Sequence, residues 1–499
     1  MVLNTIVVLI MTFLNIILGM YEIRLLIERY GSAVNGLMQT GNQLMSYVTL
    51  LEAGIGASYV YSLYKPVAEQ KNDEISSLYA GYKVSIRKAV IKMLIFAGLA
   101  SVLYPLLLKN SGIGYWFMVS IFILQSARKI VPYFITLVPQ NMIIVMERRY
   151  IVSALNGLST IITYLAEIIL LRYTKLPLQF LLLICVVIAV ASGIINEVIM
   201  RKMYGARLQH NAKPDLTPNK MTRDVMVGNI SSMAFNSTDN IVISILGSLS
   251  SVTLYSNYNM ISNQVTNLIS NIINGASASF GLKIAGKDDN TYYSFRELFT
   301  GILCVGGIIT AVFTVMINEF ITLCFGDKYC LSLLNVVMFA YIMYANIVFP
   351  ILAMMNGAAG LYKESRNFTI FQAVLNLAIT ITLVPIIGIT GALLGTLVAR
   401  FAVTVPMNYR LIYKYIFKEQ KARYLELIVA VLVSGAVALL TAEINQFSAI
   451  QGIAGVFGFI VRSVISTGVV VALVGMFWIV TSKDFRRFLM RIFKMILRR

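Results

Sequence analysis

The chain has 499 residues, of which 58% are apolar and only 13% charged, with a formal net charge of +19. Soluble domains carry roughly 45–50% apolar and about 25% charged residues, so a soluble globular protein is excluded. A helical crossing of the bilayer takes about 20 apolar residues, so the chain has room for about fourteen crossings and little else.

In chain order, apolar runs separated by polar breaks fall at 2–26, 34–63, 89–109, 115–145, 150–171, 177–200, 224–247, 251–281, 297–324, 330–356, 366–387, 390–416, 424–444 and 453–481. These runs are too long for strands, and a lipid-facing backbone must bond within a helix or a closed barrel, so the predicted fold is all-α with 14 transmembrane helices. Met1–Met20 shows neither a basic leader nor a small-residue cleavage site and reads as part of the first span. The break from Arg201 to Arg223, with Lys-Pro and Thr-Pro steps, reads as a linker. The expected organisation is an N-lobe of helices 1–6 over 1–200, a cytoplasmic linker over 201–223 and a C-lobe of helices 7–12 over 224–417. Two appended helices occupy 418–482 and a basic amphipathic tail occupies 483–499. Small-residue stretches stand at similar places in runs two and eight, GIGAS at Gly54–Ser58 and GASAS at Gly275–Ser279.

Charge placement orients the spans. Breaks after even-numbered runs, with the tail, hold 31 of the 41 Lys and Arg; breaks after odd-numbered runs hold six, namely Arg24, Arg29, Lys109, Arg172, Lys175 and Lys328. Four more (Arg128, Lys129, Arg400, Arg462) lie within spans. This bias puts both termini in the cytoplasm and accounts for the net charge without a nucleic-acid partner. The tail Lys483–Arg499 alternates basic and apolar residues at helical spacing, which suits a helix lying on anionic membrane lipids. His210 is the only histidine, the cysteines (Cys185, Cys304, Cys324, Cys330) form no CxxC pair, and no phosphate-cradling GxxxxGK[ST] run occurs. A His/Cys metal centre, a histidine-based triad and nucleotide hydrolysis therefore lack their parts, and neither catalytic residues nor a cofactor is expected.

Polar residues interrupt two spans. Run seven reads NISSMAFNSTDN over Asn229–Asn240, and run eight carries Asn259, Asn263, Asn267 and Asn271 at four-residue steps, which keeps them on one helix face. That face is either amide glue between helices or the wall of a water-filled cavity. Ionisable groups in the spans are Arg24, Arg128, Lys129, Arg400 and Arg462 against Glu52, Glu167, Glu197 and Asp239. Each costs at least about 2.5 kcal/mol at a helix centre and by default marks a substrate or ion path. Arg24 has Glu28 one turn on, so an interfacial ion pair is the alternative there. Arg128 and Lys129 point about 100° apart, so one can face a cavity while the other pairs with Glu52 or Glu167. Arg462 is expected to pair with Glu443. Buried cations with amides suit an anionic headgroup bearing sugar hydroxyls, so Arg24, Arg128, Lys129, Arg400, Glu52, Asn259, Asn263 and Asn267 are the candidate substrate-binding residues.

Arg24–Ser58, Phe325–Tyr329 (FGDKY) and above all Asn376–Thr396 (NLAITITLVPIIGITGALLGT) resemble bacterial polysaccharide flippases. These belong to the superfamily that includes multidrug and toxin extrusion proteins and the lipid II flippase. The most specific positions are Asn376, Pro385, Gly388, Gly391 and Thr396, where the proline and glycines end one helix and begin the next tightly. The resemblance implies two six-helix lobes in a V and alternating access in the bacterial cytoplasmic membrane. The cargo it implies is an undecaprenyl-pyrophosphate-linked oligosaccharide moved from inner to outer leaflet. It implies a secondary transporter rather than an enzyme, a monomer serving polysaccharide polymerase and glycosyltransferases. Arg24 is the best match to the arginines that engage pyrophosphate in related flippases, while Glu52 departs from the basic residue expected in that region. By span and depth, Asp239, Asn376, Thr380 and Thr396 correspond to a sodium site. Thr380 stands where a second carboxylate is expected, so Na+ at Asp239 and Asn376 and proton coupling through Asp239 both stay open, as does a structural role for Asp239. A cation-coupled multidrug exporter and a membrane-embedded polysaccharide polymerase are the competing readings. The fourteen spans and basic cavity oppose the first; the lack of a loop domain or carboxylate-rich segment opposes the second.

Overall fold

The computed structural model describes residues 2–49, 52, 54–108, 112–146, 148–205, 208–209, 212–220, 238–274, 276–286, 290–418, 423–445 and 455–497. Among these residues there is no strand, and every predicted run falls on helix. Ten described helices are long and apolar enough to cross a membrane. The all-α expectation holds. The chain forms two compact units, Met1–Thr253 and Leu254–Arg499. Of the run-seven motif, Asn229–Asn240, positions 229–237 lie outside the described residues, as does His210.

In the first unit α1 (Val2–Tyr30) turns at Gly31, whose φ of 86° favours glycine, into α2 (Ser32–Val48). Run two is split. After α2 the chain breaks, and α3 (Ile55–Ala68) starts behind Gly54 at φ 103°. The Glu52 carboxylate accepts the Gly56 N–H at 2.9 Å, which satisfies a first-turn donor that lipid could not. The next helix, α4 (Asn72–Leu107), has 36 residues, more than the bilayer requires, because it begins within the polar break. Its exposed stripe of Ile91, Ile95, Leu99, Val102 and Leu106 is the pattern of a lipid-facing surface. Run four divides at Thr136 into α5 (Tyr115–Ile135) and α6 (Leu137–Val145), with Pro132 in the last turn of α5. α7 (Arg149–Tyr173), α8 (Leu178–Tyr204) and α9 (Asp239–Leu246) follow, then α10 (Leu249–Asn274), which runs on into the second unit. A Cβ at Gly36 would stand 1.8 Å from the Leu249 carbonyl oxygen, so α2 and the start of α10 meet only because that residue is glycine.

In the second unit run eight also splits, between α10 and α11 (Ser277–Ala285). The GIGAS and GASAS stretches therefore mark breaks at the same ordinal place in the two sets of six runs. α12 (Thr291–Phe325) is the hub, packed by α13 (Leu333–Ala358), α17 (Tyr424–Asn445), α18 (Gly455–Thr481) and α19 (Lys483–Leu497). Between α13 and α17, α14 (Tyr362–Ile387) and α15 (Ile389–Val398) meet at Gly388, φ 60°. Gly391 permits the close turn, since a Cβ there would lie 2.6 Å from the Leu383 carbonyl carbon. α15 continues through a π-helical segment, Ala399–Thr404, into α16 (Val405–Leu411) and a second π segment, Ile412–Ile416.

Arg296 on α12 is 1% exposed and binds Glu426 of α17 and, at 3.1 Å, Asp484 of α19. One guanidinium thus ties three helices at a single end of the unit. Arg296→Ala would leave both carboxylates facing a buried void and should cost about 3–5 kcal/mol. Thermal unfolding of the detergent-solubilised protein should show this as a lower midpoint, with Arg296→Lys intermediate.

Candidate functional site

α1 and α7 end side by side in the first unit. Arg29 caps α7 by donating to the carbonyl oxygens of Leu170 at 3.2 Å, Leu171 at 3.1 Å, Thr174, and Leu176 at 2.9 Å. Leu171 is one of the last-turn carbonyls that a helix C-terminus leaves without an intrahelical partner, and all four acceptors lie at the helix's negative pole. Arg172 donates to the Tyr21 hydroxyl at 2.6 Å, and Arg24 pairs with Glu28 at 2.8 Å. Together these residues line an open cavity of 660 Å³ whose walls include Tyr21, Arg24, Glu28, Arg29, Arg172 and Lys175. Four of the six cations that the sequence places on the poorly charged face therefore converge here, against one carboxylate. The Arg24–Glu28 pair is exposed, so it is worth about 0–1 kcal/mol. Sequence reasoning singled out Arg24 but took Arg172 and Lys175 for loop charges. The available signal was that runs one and five, which share a direction, both end in paired cations.

Deeper in the same unit, Arg128 of α5 pairs with Glu167 of α7 at 2.8 Å, and the Cys185 thiol of α8 donates to the same carboxylate at 3.1 Å. Of the two partners expected for this pair of cations, the structure selects Glu167. Glu22 on α1 and Tyr164 on α7 lie within electrostatic range of both charges. Glu22 is a residue that sequence reasoning missed; it lies in the first span two positions from the more conspicuous Arg24. Lys129, the next residue on α5, is exposed, and Glu52 sits apart as the cap of α3, near Tyr82 and Asn141.

In the second unit Thr380 and Thr396 both donate to Asn376 Oδ1, each at 3.3 Å, and all three side chains are buried. Gly395 makes room for them: a Cβ there would stand 2.6 Å from Thr380 Oγ1 and 2.9 Å from Asn376 Oδ1. Three neutral oxygens of this kind are what a hard cation takes from protein. Asp239, expected alongside them, is a buried residue of the first unit, at the start of α9. Among the described residues no cluster of three or more His, Cys, Asp or Glu has a metal-holding arrangement. Arg400 is buried in the first π segment with its guanidinium 5.5 Å from the centre of the Phe349 ring. Such π segments are frequent at functional sites. Along α10, Asn259 is half-buried while Asn263 and Asn267 are exposed. Arg462 pairs with Glu319 on α12 and not with Glu443.

Neither a family model nor a curated protein matches the sequence. Solved structures do. The chain superposes on the lipid II flippase MurJ in an inward closed conformation with a TM-score of 0.67 and 13% identity, over 95% of this chain and 99% of that one. The fold is that of this flippase. It also matches an inward-facing multidrug resistance MATE family transporter of the MOP superfamily, with a TM-score of 0.63, 11% identity, and coverage of 82% of this chain and 100% of that one. An outward-facing form of such a transporter gives a TM-score of 0.52 at 12% identity, over 82% and 95%.

On this flippase-like fold the half-buried Arg128 ties α5 to α7 through the buried Glu167. Arg128→Ala should lower stability by about 3–5 kcal/mol, because Glu167 would be left buried without its cation. The double variant Arg128→Ala/Glu167→Gln should recover most of that loss, as read by thermal unfolding in detergent.

Proposed function

We propose that the protein is a flippase that moves undecaprenyl-pyrophosphate-linked oligosaccharide units, of O-antigen, capsule or teichoic-acid type, from the inner to the outer leaflet by alternating access. The observation that carries this reading is the cavity where Arg24, Arg29, Arg172 and Lys175 converge. The planar donor fork of arginine matches phosphate oxygens, and three arginines with a lysine oppose the charge of a pyrophosphate. The amides of Asn259, Asn263 and Asn267 donate and accept, as sugar hydroxyls require. In this reading Arg128, Lys129, Arg400 and Glu52 also contact the cargo. The lobes are 1–200 and 224–417, joined by the 201–223 linker, with helices 13 and 14 and the tail completing the chain.

Support also comes from length. The lipid II flippase likeness spans 95% of this chain, whereas the multidrug transporter matches span 82%, leaving a share close in size to residues 418–499. A multidrug exporter is the second reading, on the strength of the shared fold, but a strongly cationic cavity repels cationic drugs. Transporter neighbours support a non-enzyme over a membrane polymerase. The 31-to-6 distribution of Lys and Arg supports both termini in the cytoplasm. In this reading the protein works as a monomer in a bacterial cytoplasmic membrane, beside a polysaccharide polymerase and glycosyltransferases. Ion coupling, through Na+ or protons, is proposed for two places taken separately: Asp239 in the first unit, and Asn376, Thr380 and Thr396 in the second.

Arg24→Ala/Arg172→Ala should cut glycan export at least about tenfold, since each arginine–phosphate hydrogen bond is worth about 1.5–3 kcal/mol. Mass spectrometry of the host's lipid-linked intermediates should show the undecaprenyl-linked glycan accumulating, with membrane levels of the variant unchanged. Undiminished export from this variant and from Arg400→Ala would remove the cationic-path reading. Collapse of the sodium and proton gradients should stop movement of the lipid-linked glycan to the lumenal leaflet of everted vesicles; continued movement would refute the coupling assignment.

A further inference from the structure

The second unit carries another cationic cavity. At the start of α12 a 560 Å³ hollow is lined by Lys283, Asn290, Tyr293, Ser294, Arg487 and Arg491, with Glu297 at its wall. Its cations are positioned. Lys283 donates to the Ser294 hydroxyl at 2.5 Å, Arg491 pairs with Glu297 at 3.0 Å, and the Arg487 guanidinium lies 5.6 Å from the centre of the Tyr293 ring. Three cations face one carboxylate, so the hollow carries net positive charge.

The wall that supplies Arg487 and Arg491 is α19, and its surroundings identify the ligand. α18 crosses the membrane and ends at Thr481, and α19 begins at Lys483, so α19 emerges at headgroup depth. It has three stripes. Phe485 and Phe488 pack inward, with Phe488 against Gly301 of α12; Arg487 and Arg491, four residues apart, face the hollow; Leu489, Met490 and Phe493 are exposed. Asp484 fixes the start of the helix to the buried Arg296. An exposed apolar stripe beside a basic one is the signature of a helix at the membrane interface.

We propose that this hollow is a binding site for the phosphodiester headgroup of an anionic phospholipid, whose acyl chains pass into the bilayer beside α19. The site bridges α11, α12 and α19, so the bound lipid clamps the C-terminal helix on the hub of its unit. This is separate from the cargo reading and stands whether or not that reading holds.

The test uses the full-length protein in detergent, with native mass spectrometry of adducts formed with phosphatidylglycerol or phosphatidylethanolamine of matched chains. The parent protein should retain phosphatidylglycerol preferentially. Arg487→Gln should weaken that retention about fivefold and Lys283→Gln/Arg487→Gln about 25-fold, each cation near a lipid surface contributing about 1 kcal/mol. Lys483→Gln/Lys494→Gln, which removes two cations of the same helix from outside the hollow, should leave it unchanged. Equal losses in the two double variants would mean diffuse attraction and overturn the proposal. So would equal retention of the two lipids by the parent, or displacement of phosphatidylglycerol by millimolar glycerol phosphate, which would assign the hollow to a soluble phosphate. Arg487 is exposed, so its single variant reports on binding without loss of the fold.

Discussion

No charge and no backbone donor or acceptor can be left without a partner in hydrocarbon, and the arrangement of this protein follows from that constraint. Within the spans Arg128 meets Glu167 and Arg462 meets Glu319; at the membrane edge the buried Arg296 is shared by Glu426 and Asp484. Backbone groups freed at helix ends obey the same rule. Glu52 supplies the acceptor for the start of α3, and Arg29 supplies the donors for the end of α7. Each of these contacts joins two helices or closes a break within one span. Satisfying the polar groups and holding the bundle together are therefore largely the same interactions.

Breaks in the helices carry the internal symmetry that identity barely shows. Runs two and eight hold corresponding places in their sets of six, and both divide at small residues. A divided span exposes backbone groups and lets side chains such as Glu52 turn inward, where an unbroken apolar helix would present only alkyl surface. The π segments that follow α15 act similarly on a smaller scale, seating Arg400 against Phe349. Cationic sites then arise where helix ends meet, at α1 with α7 and at α12 with α19.

The sequence made some site residues plain and concealed others. Arg24 stood out because it lies within an apolar run, and Asn376, Thr380 and Thr396 through the resemblance to the flippases; the structure brings those last three together. Arg172 and Lys175 did not stand out, since paired cations at a span end look like ordinary loop charges until α7 is placed beside α1. Arg296 was counted with a cytoplasmic break, yet it is among the most buried side chains of its unit. Glu443 was the nearer acid in sequence for Arg462, but Glu319 on α12 holds it, because helix packing and not chain distance sets which charges meet.

The sequence by itself determined the all-helical class, the succession of spans, and the bias of positive charge to one face. Those properties depend on the partition of each residue between water and lipid, a local energy that composition and periodicity express directly. Only the tertiary structure decided which cations pair and which converge. Choosing Glu167 for Arg128, 39 residues away, or gathering Arg24 and Arg29 with Arg172 and Lys175, more than a hundred residues on, depends on which helices lie side by side. Coulomb attraction falls with distance in space, and sequence separation does not measure that distance.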